Sequence, residues 1–169
     1  MIKLRPIVQV LSQAKTAALP AFHAISGADN TGSFSGKGKL ACWKSFQEAD
    51  EDVITELRRI RTNENPTAET EPAIEKLVYQ LYLPKTIITE VKELRWWLFR
   101  KKQAQSERLP PTQTELHETI HRAHYQLMVW NNDRVPNPQL PPQNYGWERM
   151  GDKWLPVLTK LPPAPKEII

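Results

Sequence analysis

Cysteine is almost absent from this chain. Cys42 stands alone among 169 residues, so no disulfide framework can form within it, and a reducing, intracellular setting is expected. Long apolar runs are missing too. None approaches the roughly 18 residues that span a bilayer, so no membrane partner is expected. The opening MIKLRPIVQVLSQAKTAALPA is basic and partly apolar, but Gln9, Ser12, Gln13 and Lys15 interrupt the apolar core that a signal peptide needs. Glycine is scarce, at six, and four of the six (27, 32, 36 and 38) fall within one stretch, AFHAISGADNTGSFSGKGKLACWK, residues 21–44. That stretch holds a single acidic residue, Asp29, together with Lys37, Lys39 and Lys44. Proline, by contrast, is abundant. Eight of its 15 occurrences lie in the last 36 residues.

The net charge of +4 conceals a block pattern. Residues 1–48 carry six Lys/Arg against two Asp/Glu, residues 49–75 three against eight, and residues 76–108 eight against three; residues 109–169 balance at six each. Two basic blocks therefore flank an acidic one. Basic blocks attract phosphate backbones, but they also occur as ordinary solvated helix faces.

Apolar spacing predicts a mostly α fold. A helix is expected over 7–18, after Pro6. A second, short one starts with Pro20 in its first turn and stops at Gly27. A third runs from about Lys39 through Leu40, Trp43 and Phe46. Asp50, Glu51 and Asp52 open a fourth, which turns Val53, Ile54, Leu57 and Ile60 inward; its acidic start and its Arg58, Arg59, Arg61 end suit the helix dipole. After a loop at 62–69, Ile74, Leu77, Val78, Leu81 and Tyr82 repeat at helical spacing, from a start near Thr70 to Pro84. Further helices are expected over 87–102, with Ile87, Val91, Leu94 and Leu98 aligned, and over 114–131, with Leu116, Ile120, Ala123, Leu127 and Trp130. Gly151-Asp152 between YGWERM and KWLPV predicts a β-hairpin. The expected architecture is a helical bundle with a glycine-rich helix–turn–helix clamp, a small hairpin and a proline-rich C-terminal tail. The expected divisions are 1–62, 63–133 and 134–169.

Four motifs bear on chemistry. GSFSGKGK is not a P-loop: three residues, not four, separate Gly32 from Gly36, and Lys37 is followed by Gly38. It suits either a flexible turn or a loop whose backbone amides approach a nucleic-acid phosphate, aided by a following helix N-terminus and by Lys37, Lys39 and Lys44. HETIH at 117–121, with His124, places three histidines on one helical face. That spacing is capable of holding zinc, although no Gly-x-x-His continuation follows, and the same residues serve equally as scaffold histidines. Trp96 and Trp97 lie among Arg95, Arg100, Lys101 and Lys102. The pair suits a base-stacking surface, or one ring packed inward and the other at a rim. Cys42, with no nearby histidine in sequence, reads as a small core residue.

The stretch ALPAFHAISGADNTGSFSGKGKLACWKSF resembles a segment of uncharacterised, mobile-element-associated animal proteins. ELRWWLFRKKQAQSERLPPTQTELHETIHRAHYQLMVW and the later YGWE and LPPAPKEII resemble the downstream region of the same proteins. The glycine-rich segment is in turn similar to the flap-endonuclease-like branch of PIN-fold nucleases. The resemblance implies that Asp29 matches a metal-binding, catalytic aspartate. It implies that Ser35, Gly36, Lys37, Gly38 and Lys39, with Lys44 beyond, match a turn that holds the DNA backbone. Ala28 replaces the usual cysteine. Hydrolysis by paired Mg²⁺ or Mn²⁺ ions needs several carboxylates around ions about 4 Å apart, and Asp29 has no acidic neighbour before Glu48. The chain is therefore expected to correspond to the C-terminal part of a transposon-associated, nuclear protein. The complete parent would be a metal-dependent nuclease; this chain alone is expected to bind nucleic acid weakly, to hold no cofactor and to be inactive. The alternatives are a non-catalytic helical interaction module, with a protein partner docked on its tail, and a zinc hydrolase at HETIH.

Overall fold

The computed structural model describes residues 11–28, 31–62, 65–101, 108–135 and 140–158. The first helix starts at Ser12, whose Oγ accepts from the Lys15 N–H at 3.2 Å, an N-cap. Helix α1 then runs unbroken over Gln13–Ile25. The sequence led us to expect a break at Pro20, and the structure corrects this. Pro20 removes one hydrogen bond and crowds the preceding turn, at a cost of about 3 kcal/mol. The helix nonetheless buries Ala18, Ala21, Phe22, Ala24 and Ile25. Phe22 and Ile25 alone contribute roughly 1.5–3 kcal/mol each, enough to carry it through the proline. The expected helical residues 7–10 lie outside the described residues.

Gly27, at φ +101°, ends α1, and a loop leads to α2, Lys39–Glu48. Cys42 and Phe46 point inward, and Phe46 stacks on Phe22 with ring centroids 4.5 Å apart. Asp50 precedes α3, Glu51–Ile60, which buries Val53, Ile54, Leu57 and Ile60 as expected. Helix α4, Thr70–Tyr82, is central and packs against α2 and α3 and against the two helices that follow.

The next helix, α5, covers Val91–Arg100, not 87–102. Ile87, read as part of its buried stripe, is 95% exposed. Local hydrogen bonds hold residues 84–90 out of the helix. The Tyr79 hydroxyl donates to the Thr89 carbonyl at 2.6 Å, and the Ile88 N–H donates to Thr86 Oγ1 at 3.1 Å. The run Thr86-Ile87-Ile88-Thr89 is also β-branched throughout, which disfavours helix. Lys102 lies outside the described residues.

Helix α6, Gln113–Asn131, begins with a capping box between Thr112 and Glu115. It buries Leu116, Ile120, Ala123 and Leu127, while Trp130 is half-buried and stacks on His23. Strands β1 (Trp147–Met150) and β2 (Lys153–Pro156) pair antiparallel, turning at Gly151 with φ +62°. The hairpin joins the bundle where Arg122 donates to the Gly146 and Val157 carbonyls at 3.2 and 2.7 Å. Gly146, at φ +75°, is needed there. A Cβ would lie 2.5 Å from the Glu118 carbonyl oxygen.

One hydrophobic cluster draws residues from all six described helices. Helix α1 packs on α3 and α6, which closes the bundle. The described chain is mostly helical, with one two-stranded hairpin. Among the described residues, no helix is long and apolar enough to cross a membrane.

Candidate nucleic-acid interface

The segment from Ser26 to Gly38 is tied to the end of α1 by side chains. A helix leaves its last carbonyls without intrahelical partners. Here the Phe22 carbonyl accepts from Ser26 Oγ at 2.6 Å, the His23 carbonyl from Lys39 Nζ at 3.0 Å, and the Ala24 carbonyl from Thr31 Oγ1 at 2.6 Å. Thr31 also receives the Ala28 N–H at 2.7 Å. The buried Phe34 anchors the middle of the loop, and the Tyr82 hydroxyl of α4 donates to the Ser35 carbonyl at 2.8 Å. The chain then turns at Gly36, whose φ of +69° favours glycine. Lys37 N–H closes the turn on the Phe34 carbonyl at 3.0 Å. Gly38 follows as the N-cap of α2, with no side-chain cap.

The residues singled out in the sequence occupy different settings. Asp29, the expected catalytic and metal-binding residue, lies outside the described residues. Ser35, Gly36 and Gly38 are exposed on the turn. Lys37 is half-buried, its ammonium 4.9 Å from the centre of the Tyr82 ring, a cation–π contact. Lys39 turns back to α1, where its ammonium also meets His23 Nδ1 at 2.9 Å and Ser26 Oγ at 2.8 Å. Partial burial pulls the pKa of both lysines below the ordinary value, against a smaller opposing influence of Cys42. Lys44 is exposed on α2. Cys42 is buried, and burial pushes its thiol pKa up, which suits a core residue more than a nucleophile.

Three contributors escaped the sequence reading. Tyr82 reads in sequence as core alone, yet it both holds the loop and carries Lys37. Thr31 gave no signal in sequence. The side chain of Arg108 runs beside Gly36, 3.9 Å from where a Cβ would stand, and adds a cation to the turn.

The tryptophan pair divides as one of its two readings expected. Trp97 packs partly against the core, whereas Trp96 is 62% exposed. The three histidines do not form one ligand cluster. His117 Nδ1 pairs with Glu71, and its ring lies 4.5 Å from that of His121. His124 is wholly buried, with Nδ1 3.3 Å from the Ile60 carbonyl. Among the described residues, no group of three or more His, Cys, Asp or Glu side chains is arranged to hold a metal ion. Comparison with family models, curated proteins and solved structures finds no match to this chain.

Two outcomes follow from this geometry. Lys39→Gln should lower unfolding free energy by about 1 kcal/mol, through loss of a charge-assisted cap on α1, while Lys44→Gln should change it by less than about 0.5 kcal/mol; urea titration of the two variants checks the difference. Burial lowers the pKa of His124, and burial followed by the His117 charge lowers that of His121. The unfolded chain therefore binds more protons than the folded one in acid. The stabilisation is present above the ordinary histidine value near 6.5 and is lost as pH falls through the folded pKa values, by at most about 1.4 kcal/mol per pH unit per histidine. Denaturant midpoints should fall between about pH 7 and about pH 5, and less steeply in His124→Phe.

Proposed function

We propose that this chain is the nucleic-acid-holding part of a transposon-associated, flap-endonuclease-like nuclear protein. In this reading, Ser35, Gly36, Lys37 and Gly38 meet a DNA phosphate together with the first amides of α2. Lys39 and Lys44 add charge on either side. Asp29 would hold Mg²⁺ or Mn²⁺ only in a complete parent, with carboxylates supplied from elsewhere in that protein. No hydrolytic step is assigned to the residues described.

One observation carries the reading. The left-handed turn at Gly36 delivers the chain to a helix start whose cap is glycine and whose flank holds Lys37 and Arg108. Unpaired first-turn amides, an N-terminal helix dipole and nearby cations all favour an anion. The resemblance of residues 18–46 to the clamp segment of flap-endonuclease-like proteins points the same way.

Binding of the chain to duplex DNA should weaken with salt. The variant Lys37→Gln/Lys44→Gln should flatten the plot of log K against log salt by about two units, since each phosphate contact contributes about 0.9. An unchanged slope removes both contacts. With Mg²⁺ or Mn²⁺, flap and duplex DNA should stay intact. Cleavage that Asp29→Ala abolishes would show that the chain is a nuclease in its own right.

The non-catalytic interaction module has a separate observation in its favour. Met150 is 63% exposed, and Trp154 and Leu155 on the facing strand are 38% and 37% exposed. A hairpin that presents this much apolar surface suits a protein partner. Absence of DNA binding at low salt favours this second reading.

A further inference from the structure

On another part of the bundle, α3, α4 and the segment 86–89 enclose a groove of about 980 Å³. Its floor is apolar and includes Ala73 and Ile88. Ile87 stands at its edge, 95% exposed, more than any other large apolar side chain described. The rim is acidic. Glu51, Asp52, Glu56 and Glu69 line the groove; Lys76, the one cation in its described lining, is held by Asp50 at 2.7 Å and Asp52 at 3.0 Å, and Arg59 stands beside Glu56 at 3.6 Å. Glu56 is committed as well, to the Thr70 hydroxyl at 2.8 Å. Glu51 and Glu69 are exposed. One more polar atom in the lining, Gln80 Oε1, is buried without a hydrogen-bond partner among the described residues.

We propose that this groove docks a basic amphipathic helix of a partner protein, with apolar residues against Ile87, Ile88 and Ala73 and Lys or Arg side chains against Glu51 and Glu69. Charge decides the class of occupant. The rim carboxylates repel phosphate, which excludes nucleic acid from this face, and they attract cations as the helix approaches. The apolar floor supplies the contact area that rim charges alone do not. The site is independent of the nucleic-acid reading: it shares no residue with the turn at 35–39.

The probe is a fluorescent amphipathic peptide of leucine and lysine, titrated with the full chain. A control peptide replaces every lysine with glutamate. The lysine peptide should bind and the glutamate peptide should not. Ile87→Ser and Glu51→Lys/Glu69→Lys should each weaken binding by about tenfold or more. Ile87→Ser should leave the melting curve close to the parent's, whereas the double variant, whose lysines fall at the N-termini of α3 and α4, should lower it modestly while the chain stays folded. Lys37→Gln/Lys44→Gln, which bears on DNA, should leave peptide binding unchanged. Equal binding of the two peptides, unaltered affinity in both groove variants, or no binding of the lysine peptide overturns the proposal. So does a dimer in sedimentation that Ile87→Ser dissociates, because the occupant would then be a second copy of this chain.

Discussion

The last turn of α1 is the constraint on which the described site depends. Its Phe22 and Ala24 carbonyls accept from the backbone amides of Ser26 and Gly27, and these two together with the His23 carbonyl also accept from side chains. Three side chains that follow the helix make these added bonds: Ser26, Thr31 and Lys39. Each comes from a different point on the following segment. Satisfying the helix end therefore fixes where that segment runs, and Lys39 fixes where α2 begins. The turn at Gly36 has little freedom left, with Phe34 buried before it and Tyr82 holding the Ser35 carbonyl. A glycine-rich loop would ordinarily be read as loose, but this one is tied at both ends and in the middle.

Helix α4 relates the two charged surfaces. Its C-terminal residue Tyr82 supports the basic turn, while its first two turns, at Pro72, Ala73 and Lys76, form part of the acidic groove. The charge blocks in sequence thereby become separate surfaces. The acidic block at 49–75 forms α3 and the start of α4, and the basic turn lies at the junction of α1 and α2. Local charge of one sign costs stability through self-repulsion. The fold offsets part of that by placing Lys76 between Asp50 and Asp52 and Arg59 beside Glu56.

Much of this was legible in sequence because burial follows helical spacing. Val53, Ile54, Leu57 and Ile60 read inward and are inward, as do Leu116, Ile120, Ala123 and Leu127. The hairpin at Gly151 followed from turn chemistry. The misses have different causes: core burial overrides the proline rule in α1, whereas local bonds and β-branching override the apolar period before α5. Pro20 is a helix breaker, yet core burial on either side of it carries α1 through. Ile87 fits the apolar period of α5, yet Tyr79 holds the neighbouring Thr89 carbonyl and the β-branched run 86–89 stays out of the helix. The histidines illustrate the same limit. Spacing placed 117, 121 and 124 on one face, but only packing determines that His117 meets Glu71 while His124 turns to the Ile60 carbonyl.

Lysine spacing in the glycine-rich segment was equally silent about where each ammonium goes, and this alters what the segment can do. Had Lys37, Lys39 and Lys44 all pointed into water, each would lose rotamer entropy on meeting a phosphate, up to about 2 kcal/mol for so long a side chain. Lys37 is instead seated on Tyr82, and Lys39 on the end of α1. Their entropy is lost on folding and need not be lost again on binding. The seats also cost the lysines part of their hydration, which is why burial lowers their pKa. An anion at the turn would reverse that shift, because a negative charge favours the protonated amine. The contacts that close off α1 thus use the Lys39 ammonium fully, and leave Lys37 on Tyr82 as the seated lysine beside the glycine-capped helix start.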